Sequence, residues 1–203
     1  MGNALAHKGM TAAEFLAWDA HQTLRHEFVR GELFAMAGGE DYNNILALNL
    51  VVALRPHLRG TPCRVYANDV KLRIELANCY FYPDLMVTCS SLDAANRLIK
   101  REPTLVVEVL SHSTAAYDRG GKFADYRLLP TLQEYLLVDI DSRRCDLFRK
   151  QADGLWLLHP FEGEQTLHLA SVALDIPADA LWADIEPPAQ AEAPAEPATP
   201  PSA

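Results

Sequence analysis

The sequence predicts one α/β domain, an α/β sandwich in which helices flank a mixed central β-sheet. Two short apolar stretches, Thr104–Leu110 and Glu134–Asp139, are typical of strands covered on both faces. Helical patterns precede and separate these strands, in the order helix, hairpin, helix, strands, helix, strand. At 203 residues the chain is long enough to bury one substantial core.

The first half begins with a capping box, Thr11-Ala12-Ala13-Glu14, which predicts a short helix ending near Asp19. His26–Val29 and Glu32–Met36 flank Arg30-Gly31 and predict a hairpin. The next prediction is a longer helix from Asp41 to about His57, with one face formed by Ile45, Leu48 and Val52.

The second half is richer in strands. After strands near Cys63–Ala67 and Val70–Ile74, one opens with Asp84, and the next contains Glu108. A helix is predicted from Ala115 to Leu129, weakened near its start by Gly120-Gly121. The remaining predictions are the strand Glu134–Asp139 and a final hairpin, formed by Arg144–Lys150 and Leu155–Pro160, that turns at Asp153-Gly154.

The two ends of the chain differ from the predicted domain, residues 11–186. Residues 1–10 are expected to be a flexible N-terminus without the pattern of a signal peptide. Residues 187–203 are almost entirely Pro, Ala, Glu and Ser, and we expect a disordered tail. No apolar run approaches the roughly 20 residues of a membrane helix, so we expect no membrane contact and a cytoplasmic location. The four cysteines form no CxxC pair and are interpreted as reduced, mostly buried thiols.

The formal net charge of −9 is unevenly distributed. All 18 Lys and Arg lie at or before residue 150, whereas nine of the 27 acidic residues follow residue 151. Residues 1–151 therefore carry 18 basic and 18 acidic side chains. A neutral domain can still present a basic cleft, so charge neither supports nor excludes nucleic-acid binding.

Glu108 is the strongest functional signal, because it is the one carboxylate in an otherwise apolar strand. An ionised carboxylate buried there costs several kcal/mol unless a cation, a partner or a proton compensates it. Asp84 directly follows Pro83 and opens another apolar strand, Leu85-Met86-Val87. Two carboxylates on adjacent core strands form a potential divalent-metal site.

Each candidate also has a purely structural interpretation. Asp84 can be a strand-entry residue that hydrogen-bonds a turn, and Glu108 can form a structural salt bridge. Lys122 has Asp118 one helical turn before it and Asp125 after it, which suits a solvated helix face. Glu32 and Asp69 can be ordinary hairpin and turn residues. Motifs of a P-loop, a nucleophile elbow or a zinc protease are absent from the sequence.

Taken together, the motifs resemble the Uma-two family of restriction-endonuclease-like proteins, within the PD-(D/E)XK nuclease superfamily. The matching motifs are Pro83-Asp84, Glu108-Val109-Leu110-Ser111, Asp118-Arg119-Gly120-Gly121-Lys122 with Tyr126, and Glu134–Asp139. The resemblance runs from about Thr11 to Pro177, and Arg30-Gly31-Glu32 and Asn68-Asp69-Val70 resemble the upstream motifs. Two positions depart from the pattern. Leu110 stands where the superfamily places a lysine, and His112 stands where family members commonly carry proline.

The resemblance implies a restriction-endonuclease-like fold and assigns roles. Asp84, Glu108 and Lys122 are the expected catalytic residues, with Lys122 replacing the missing lysine from the following helix. Asp84, Glu108 and the Val109 carbonyl are the expected ligands of Mg²⁺, with Mn²⁺ as the substitute ion. Glu32 and Asp69 are expected in an outer acidic cluster, and Tyr126 and His112 on the substrate side.

The function implied is a Mg²⁺-dependent endonuclease that hydrolyses DNA phosphodiesters by metal-activated water. The alternative is a nuclease fold that no longer cuts and serves as a module binding nucleic acid or proteins. A small-molecule phosphoesterase is a third hypothesis. The partner expected is DNA, and a homodimer would place one cleft on each strand.

Overall fold

The computed structural model describes residues 4–5, 9–36, 38 and 40–186. Strands in that part of the chain are β1 (Ala4–Leu5), β2 (His26–Val29), β3 (Glu32–Ala35), β4 (Arg64–Ala67), β5 (Lys71–Ile74), β6 (Cys79–Phe81), β7 (Leu85–Thr88), β8 (Ile99–Lys100), β9 (Pro103–Val109), β10 (Glu134–Asp139), β11 (Arg144–Lys150), β12 (Trp156–Glu162), β13 (Leu167–Leu169) and β14 (Leu174–Ile176). The α-helices are α1 (Ala12–Asp19), α2 (Asp41–His57), α3 (Ser91–Ala95), α4 (Ala115–Tyr117), α5 (Phe123–Tyr126) and α6 (Ala178–Leu181). A π-helical segment, Asp118–Lys122, joins α4 to α5, and a 3-10 turn covers Ala170–Val172.

The central sheet has six strands in the order β12-β11-β10-β9-β7-β4. Strands β9 and β10 are parallel, and every other pair in it is antiparallel. The sheet is therefore mixed, and the predicted α/β architecture is confirmed. The parallel pair needs a crossover connection, which here contains α4, the π-helical segment and α5.

A second six-stranded sheet, β1-β3-β2-β6-β5-β8, was not predicted as a separate layer. One of its faces packs on the central sheet through side chains such as Leu72, Phe81 and Val29, which belong to the same buried apolar cluster as Val106 and Leu137. Its other face lies under α1, where Phe15 packs on Phe28, Leu33 and Tyr80. The short strands β6 and β8 gave too few residues for an alternating pattern to be recognised.

Helix α2 covers the opposite face of the central sheet. Leu46, Leu50 and Leu54 pack against Leu105 and Val107 of β9. The bounds predicted for α2 are confirmed, but the predicted face is wrong, because Leu48 and Val52 are 54% and 70% exposed. Apolar residues surround much of this helix, so periodicity alone did not identify the buried stripe.

Most other predicted elements are confirmed. The capping box at Thr11 forms with both of its hydrogen bonds, and the β2–β3 and β11–β12 hairpins pair as expected. The expected flexible N-terminus lies mostly outside the described residues, although Ala4–Leu5 pair with β3. The predicted tail, residues 187–203, lies wholly outside them. Within the described part, no helix combines the length and apolar character needed to span a bilayer.

The expectation that all cysteines are reduced is wrong for one pair, since Cys63 and Cys89 form a disulfide. Arg64 pairs with Thr88 across β4 and β7, so the next residues outward, Cys63 and Cys89, face each other. Spacing along the sequence does not reveal this register. Cys79 and Cys145 are buried free thiols, as expected.

The two faces of α2 give a direct test of this packing. We expect Leu50→Ala to lower the free energy of unfolding by about 2–5 kcal/mol, because it leaves a cavity in the core. Val52→Ala, on the same helix but exposed, should change it by less than about 0.5 kcal/mol. Urea denaturation of both variants measures the difference. Equal effects would contradict the orientation of α2.

Candidate active site

Strand alternation decides where Glu108 points. Leu105, Val107 and Val109 face α2, whereas Val106 faces the second sheet. Glu108 therefore projects into the layer between the two sheets, where its side chain is only 4% exposed. The buried carboxylate inferred from the sequence is a feature of the fold.

Asp84 lies beside Glu108 because of the register between β7 and β9. Leu85 pairs with Val107 in this antiparallel ladder, and continuing the register by one residue places Asp84 opposite Glu108. Side chains at directly opposed positions share one face, with Cβ atoms about 4.5–5.5 Å apart. Asp84 Oδ2 also accepts a hydrogen bond of 2.7 Å from the Val109 backbone N–H.

The second sheet contributes another buried carboxylate, Glu27. In β2, Val29 faces the central sheet and Phe28 faces α1, so Glu27 points inward like Val29. The backbone N–H of Tyr82 lies 3.5 Å from Glu27 Oε1 and donates to it. Both sheets therefore place carboxylates in the same interlayer space.

The π-helical segment supplies the cation. Its five residues, Asp118–Lys122, carry an acidic side chain at the start and Lys122 at the end. Such segments add one residue to a helical turn and are frequent at functional sites. Gly121 is required here, since a Cβ at this position would overlap the ring of Tyr117, whereas a Cβ at Gly120 would meet no atom within 4 Å.

Lys122 Nζ forms ion pairs with three buried carboxylates. It lies 3.1 Å from Glu108 Oε1, 3.2 Å from Glu27 Oε1 and 3.3 Å from Asp118 Oδ1. Its side chain is 8% exposed, so the solvated helix-face interpretation of this lysine is wrong. Asp125, its other expected partner, pairs with Arg30 instead.

Two tyrosines form the back of this lysine–carboxylate cluster, which comprises Glu27, Asp84, Glu108, Asp118 and Lys122. Tyr126 OH donates a hydrogen bond of 2.7 Å to Glu108 Oε1, and Tyr135 OH donates one of 3.0 Å to the Asp118 carbonyl. Both side chains are fully buried. They orient the cluster from the side of the core.

In this cluster one ammonium group faces four carboxyl groups, which is not enough positive charge to neutralise all four if they are ionised. Burial, reinforced by the carboxylates of Asp84, Asp118 and Glu27, raises the pKa of Glu108 to about 8 against the opposing effect of Lys122. Burial also raises the pKa of Asp84. For Lys122, burial lowers the pKa, but Glu108, Glu27 and Asp118 outweigh it and hold the pKa well above its ordinary value. The lysine therefore stays protonated beside four carboxyl groups.

The donor set fits a divalent cation in chemistry and charge. Carboxylate oxygens are the ligands that Mg²⁺ prefers, and the partner of the buried Asp118 Oδ1 is the Lys122 ammonium at 3.3 Å. Among the described residues, however, no three His, Cys, Asp or Glu side chains are arranged around one ion position. Lys122 Nζ lies among these carboxylates, so a bound cation would have to share them with the ammonium.

A cleft of about 700 Å³ opens over the cluster. Asp84, Glu108, Val109 and Lys122 line its inner part, together with Tyr117. The first turn of α2 and the chain around Asn68 form its rim. The buried charges are thus reachable from solvent.

The remaining sequence-based candidates lie further out. Asp69 lines the cleft but is exposed and pairs with Arg25 at 2.5 Å. His112 is also an exposed residue of the cleft wall, 3.7 Å from Asp141. Glu32 pairs across the hairpin with Val29 and does not line the cleft. Tyr126 lies behind Glu108 rather than on the open side of the cleft.

Glu27 and Asp118 were not among the predicted site residues, although Asp118 lies in one of the matching motifs. A signal for Glu27 existed, since it precedes Phe28-Val29 in a predicted strand. The direction in which the Glu27 side chain points depends on how the second sheet packs, and that sheet was not predicted as a separate layer. Asp118 lies at the start of a π-helical segment that no sequence pattern had indicated.

Comparisons with known proteins agree with this architecture. The family model Uma2, described as "Putative restriction endonuclease", matches residues 12–179. An uncharacterized Synechocystis protein, slr1290, is 38% identical over 173 residues, which are 85% of this chain and 91% of the relative. A second, sll1609, is 36% identical over 77% of this chain and 90% of its own length.

A solved structure is similar in fold. It is the crystal structure of a putative nuclease belonging to DUF820 from Anabaena variabilis. The TM-score is 0.72, with 85% of this chain and 97% of the other chain covered and 14% sequence identity. This similarity confirms the fold and says nothing by itself about activity.

Gly120 and Gly121 form a matched pair for testing the π-helical segment. We expect Gly121→Ala to destabilise the protein by about 1–3 kcal/mol, because the added methyl group displaces the Tyr117 ring. Gly120→Ala should be neutral or stabilising by up to about 1 kcal/mol, since alanine favours helix. Thermal and urea unfolding check both. A stable Gly121→Ala protein would refute the close contact.

The raised pKa of Glu108 predicts a pH dependence of stability. A carboxyl group whose pKa is about 8 when folded and 4.5 when unfolded stabilises the fold fully below about pH 4.5. This contribution falls as pH rises through about 8. In metal-free protein, we expect the unfolding free energy of the wild type to fall relative to Glu108→Gln by at least about 1.4 kcal/mol between pH 5 and 9, the equivalent of one pKa unit. Urea denaturation measures it, and parallel pH profiles would contradict the raised pKa.

Proposed function

The chain belongs to the Uma2 family of putative restriction endonucleases, and we propose that it is a metal-dependent endonuclease that hydrolyses DNA phosphodiester bonds. Family membership supports a nuclease, and the site supports hydrolysis assisted by a divalent cation. The observation that carries the proposal is the position of Lys122 Nζ, within 3.3 Å of Glu108, Glu27 and Asp118 at the base of an open cleft.

Lys122 has the charge and the position for a catalytic cation. Its pKa is raised well above the ordinary value, so it cannot act as a general base near neutral pH. An ammonium fixed by three carboxylates can instead orient an attacking water and stabilise negative charge that develops on a phosphate. Fixed groups of this kind contribute most because they need no reorganisation during the reaction.

Asp84 and Glu108, with the Val109 carbonyl, would hold Mg²⁺ or Mn²⁺. A bound divalent ion would supply neutralisation of phosphate charge and acidification of water. Val109 N–H fixes one oxygen of Asp84, and Tyr126 OH fixes one oxygen of Glu108. These hydrogen bonds orient the carboxylates before substrate arrives, which reduces the entropy lost on binding.

The test compares Lys122→Ala with Lys150→Ala on the same DNA. Lys150 lies outside the cleft and donates to the Pro130 carbonyl, so its loss removes an equal charge without touching the site. We expect Lys122→Ala to reduce Mg²⁺-dependent cleavage by about 10² or more, and Lys150→Ala to leave it unchanged. Circular dichroism checks that both variants are folded. Cleavage by Lys122→Ala at the wild-type rate would end the catalytic assignment.

Metal binding separates the nuclease from a module that retains only the fold. We expect calorimetry to detect Mn²⁺ binding to the wild type and to Lys122→Ala, because the carboxylates remain. Glu108→Gln should weaken Mn²⁺ binding by about tenfold or more, since this substitution removes a charged ligand. If the wild type binds no Mn²⁺ and cuts no DNA, the inactive binding module replaces the proposed function.

A further inference from the structure

The groups proposed to react lie in the buried part of the cleft. Its volume of about 700 Å³ is within the roughly 300–1,000 Å³ of pockets that enclose one small molecule. Glu108 and Lys122, which line it, are both buried. A phosphodiester must enter this space to reach them. A single strand is flexible and can bend into such a cleft, whereas a duplex has a persistence length of about 50 nm and must be deformed to do so.

The charge lining the cleft is unsuited to a duplex backbone. Proteins that grip duplex DNA typically neutralise several phosphates with Lys and Arg. The cationic side chains on the described cleft wall are Arg25, which pairs with Asp69, and Lys122, which pairs with Glu108, Glu27 and Asp118. The same lining contains six carboxylate residues, Glu27, Glu40, Asp69, Asp84, Glu108 and Asp118.

The cleft does provide surfaces that suit an exposed base. Phe34 and Tyr117 are half-buried aromatic side chains on its wall. The first turn of α2 adds the amides of Asn43 and Asn44. Aromatic rings stack on bases of any sequence, and amide groups can hydrogen-bond the edge of an unpaired base.

We infer that the substrate of this site is an unpaired DNA strand, held by base contacts with Phe34, Tyr117 and the α2 amides rather than by a ladder of phosphate contacts. The inference rests on the proposed nuclease function and specifies its substrate class. Few phosphates are neutralised, so affinity depends weakly on salt. Duplex DNA is a substrate only where a strand end, gap or mismatch releases a nucleotide.

Binding tests this apart from cleavage. A fluorescein-labelled 20-nucleotide strand and its duplex are titrated with the full chain in Ca²⁺, with fluorescence anisotropy as the readout and gels to confirm intact probes. We expect the single strand to bind at least about tenfold more tightly. The logarithm of the association constant should fall with the logarithm of the salt concentration. Each neutralised phosphate of a single strand contributes roughly −0.7 to that slope, and we expect a slope that corresponds to about one to three phosphates. Equal or tighter duplex binding, a slope of six or more phosphates, or no binding of either probe overturns the inference.

Two substitutions test whether an unpaired nucleobase binds at this wall of the cleft. Phe34→Leu keeps an apolar side chain but removes the ring, and should weaken single-strand binding by at least about fivefold. Phe161 is half-buried against the core beneath α2 and lies outside the cleft. Phe161→Leu is therefore the matched control and should bind the single strand as tightly as the wild type. Unchanged affinity in Phe34→Leu overturns the assignment of a base to this wall.

Cleavage distinguishes the two proposals. With Mg²⁺ or Mn²⁺, we expect the single strand, or a duplex with an internal gap, to be cut at least about tenfold faster than the intact duplex. An intact duplex cut as fast as the single strand overturns the substrate assignment while leaving the nuclease intact. If neither is cut but the single strand is still bound preferentially, the nuclease proposal fails and the assignment of the cleft to unpaired DNA stands.

Discussion

The ion pairing of Lys122 with buried carboxylates is the interaction on which the architecture of the site depends. Removing such charges from water costs several kcal/mol per ion, and only close partners compensate for it. One ammonium faces Glu108, Glu27 and Asp118, with Asp84 adjacent. The partners come from the central sheet, the second sheet and the crossover helix. The cluster therefore forms only when both sheets and the crossover segment are assembled.

The crossover between β9 and β10 explains how a lysine reaches a strand that lacks one. The position two residues after Glu108 is Leu110, which is buried in the interlayer core. The chain instead returns through α4 and the π-helical segment, which places Lys122 Nζ 3.1 Å from Glu108. Gly121 allows the close approach of Tyr117 that this path requires. Tyr126, one turn later, then donates to the same Glu108 oxygen. Lys122 thus reaches Glu108 through the path of the crossover, although the two residues are not adjacent in the sequence.

Much of this could be predicted from sequence, for reasons that differ between residues. Glu108 was identifiable because a carboxylate in an apolar strand is costly, and α1 was placed well because its capping box marks its start. The inward turn of Glu27, the Cys63–Cys89 pair and the buried face of α2 depend on strand register and layer packing. These are long-range properties, and short strands such as β6 carry too little pattern to reveal them. The choice of Glu32 rather than Glu27 shows the same limit, because the hairpin was predicted but its orientation was not.

If the lysine–carboxylate cluster is a cation-dependent catalytic centre, a divalent ion must bind at Asp84 and Glu108. The most direct measurement is anomalous X-ray diffraction from crystals of the full chain equilibrated with Mn²⁺. We expect an anomalous peak in contact with both Asp84 and Glu108, with Lys122 still among the carboxylates. Saturating Mn²⁺ with no peak at these residues, and Lys122 still paired with Glu108, would contradict it.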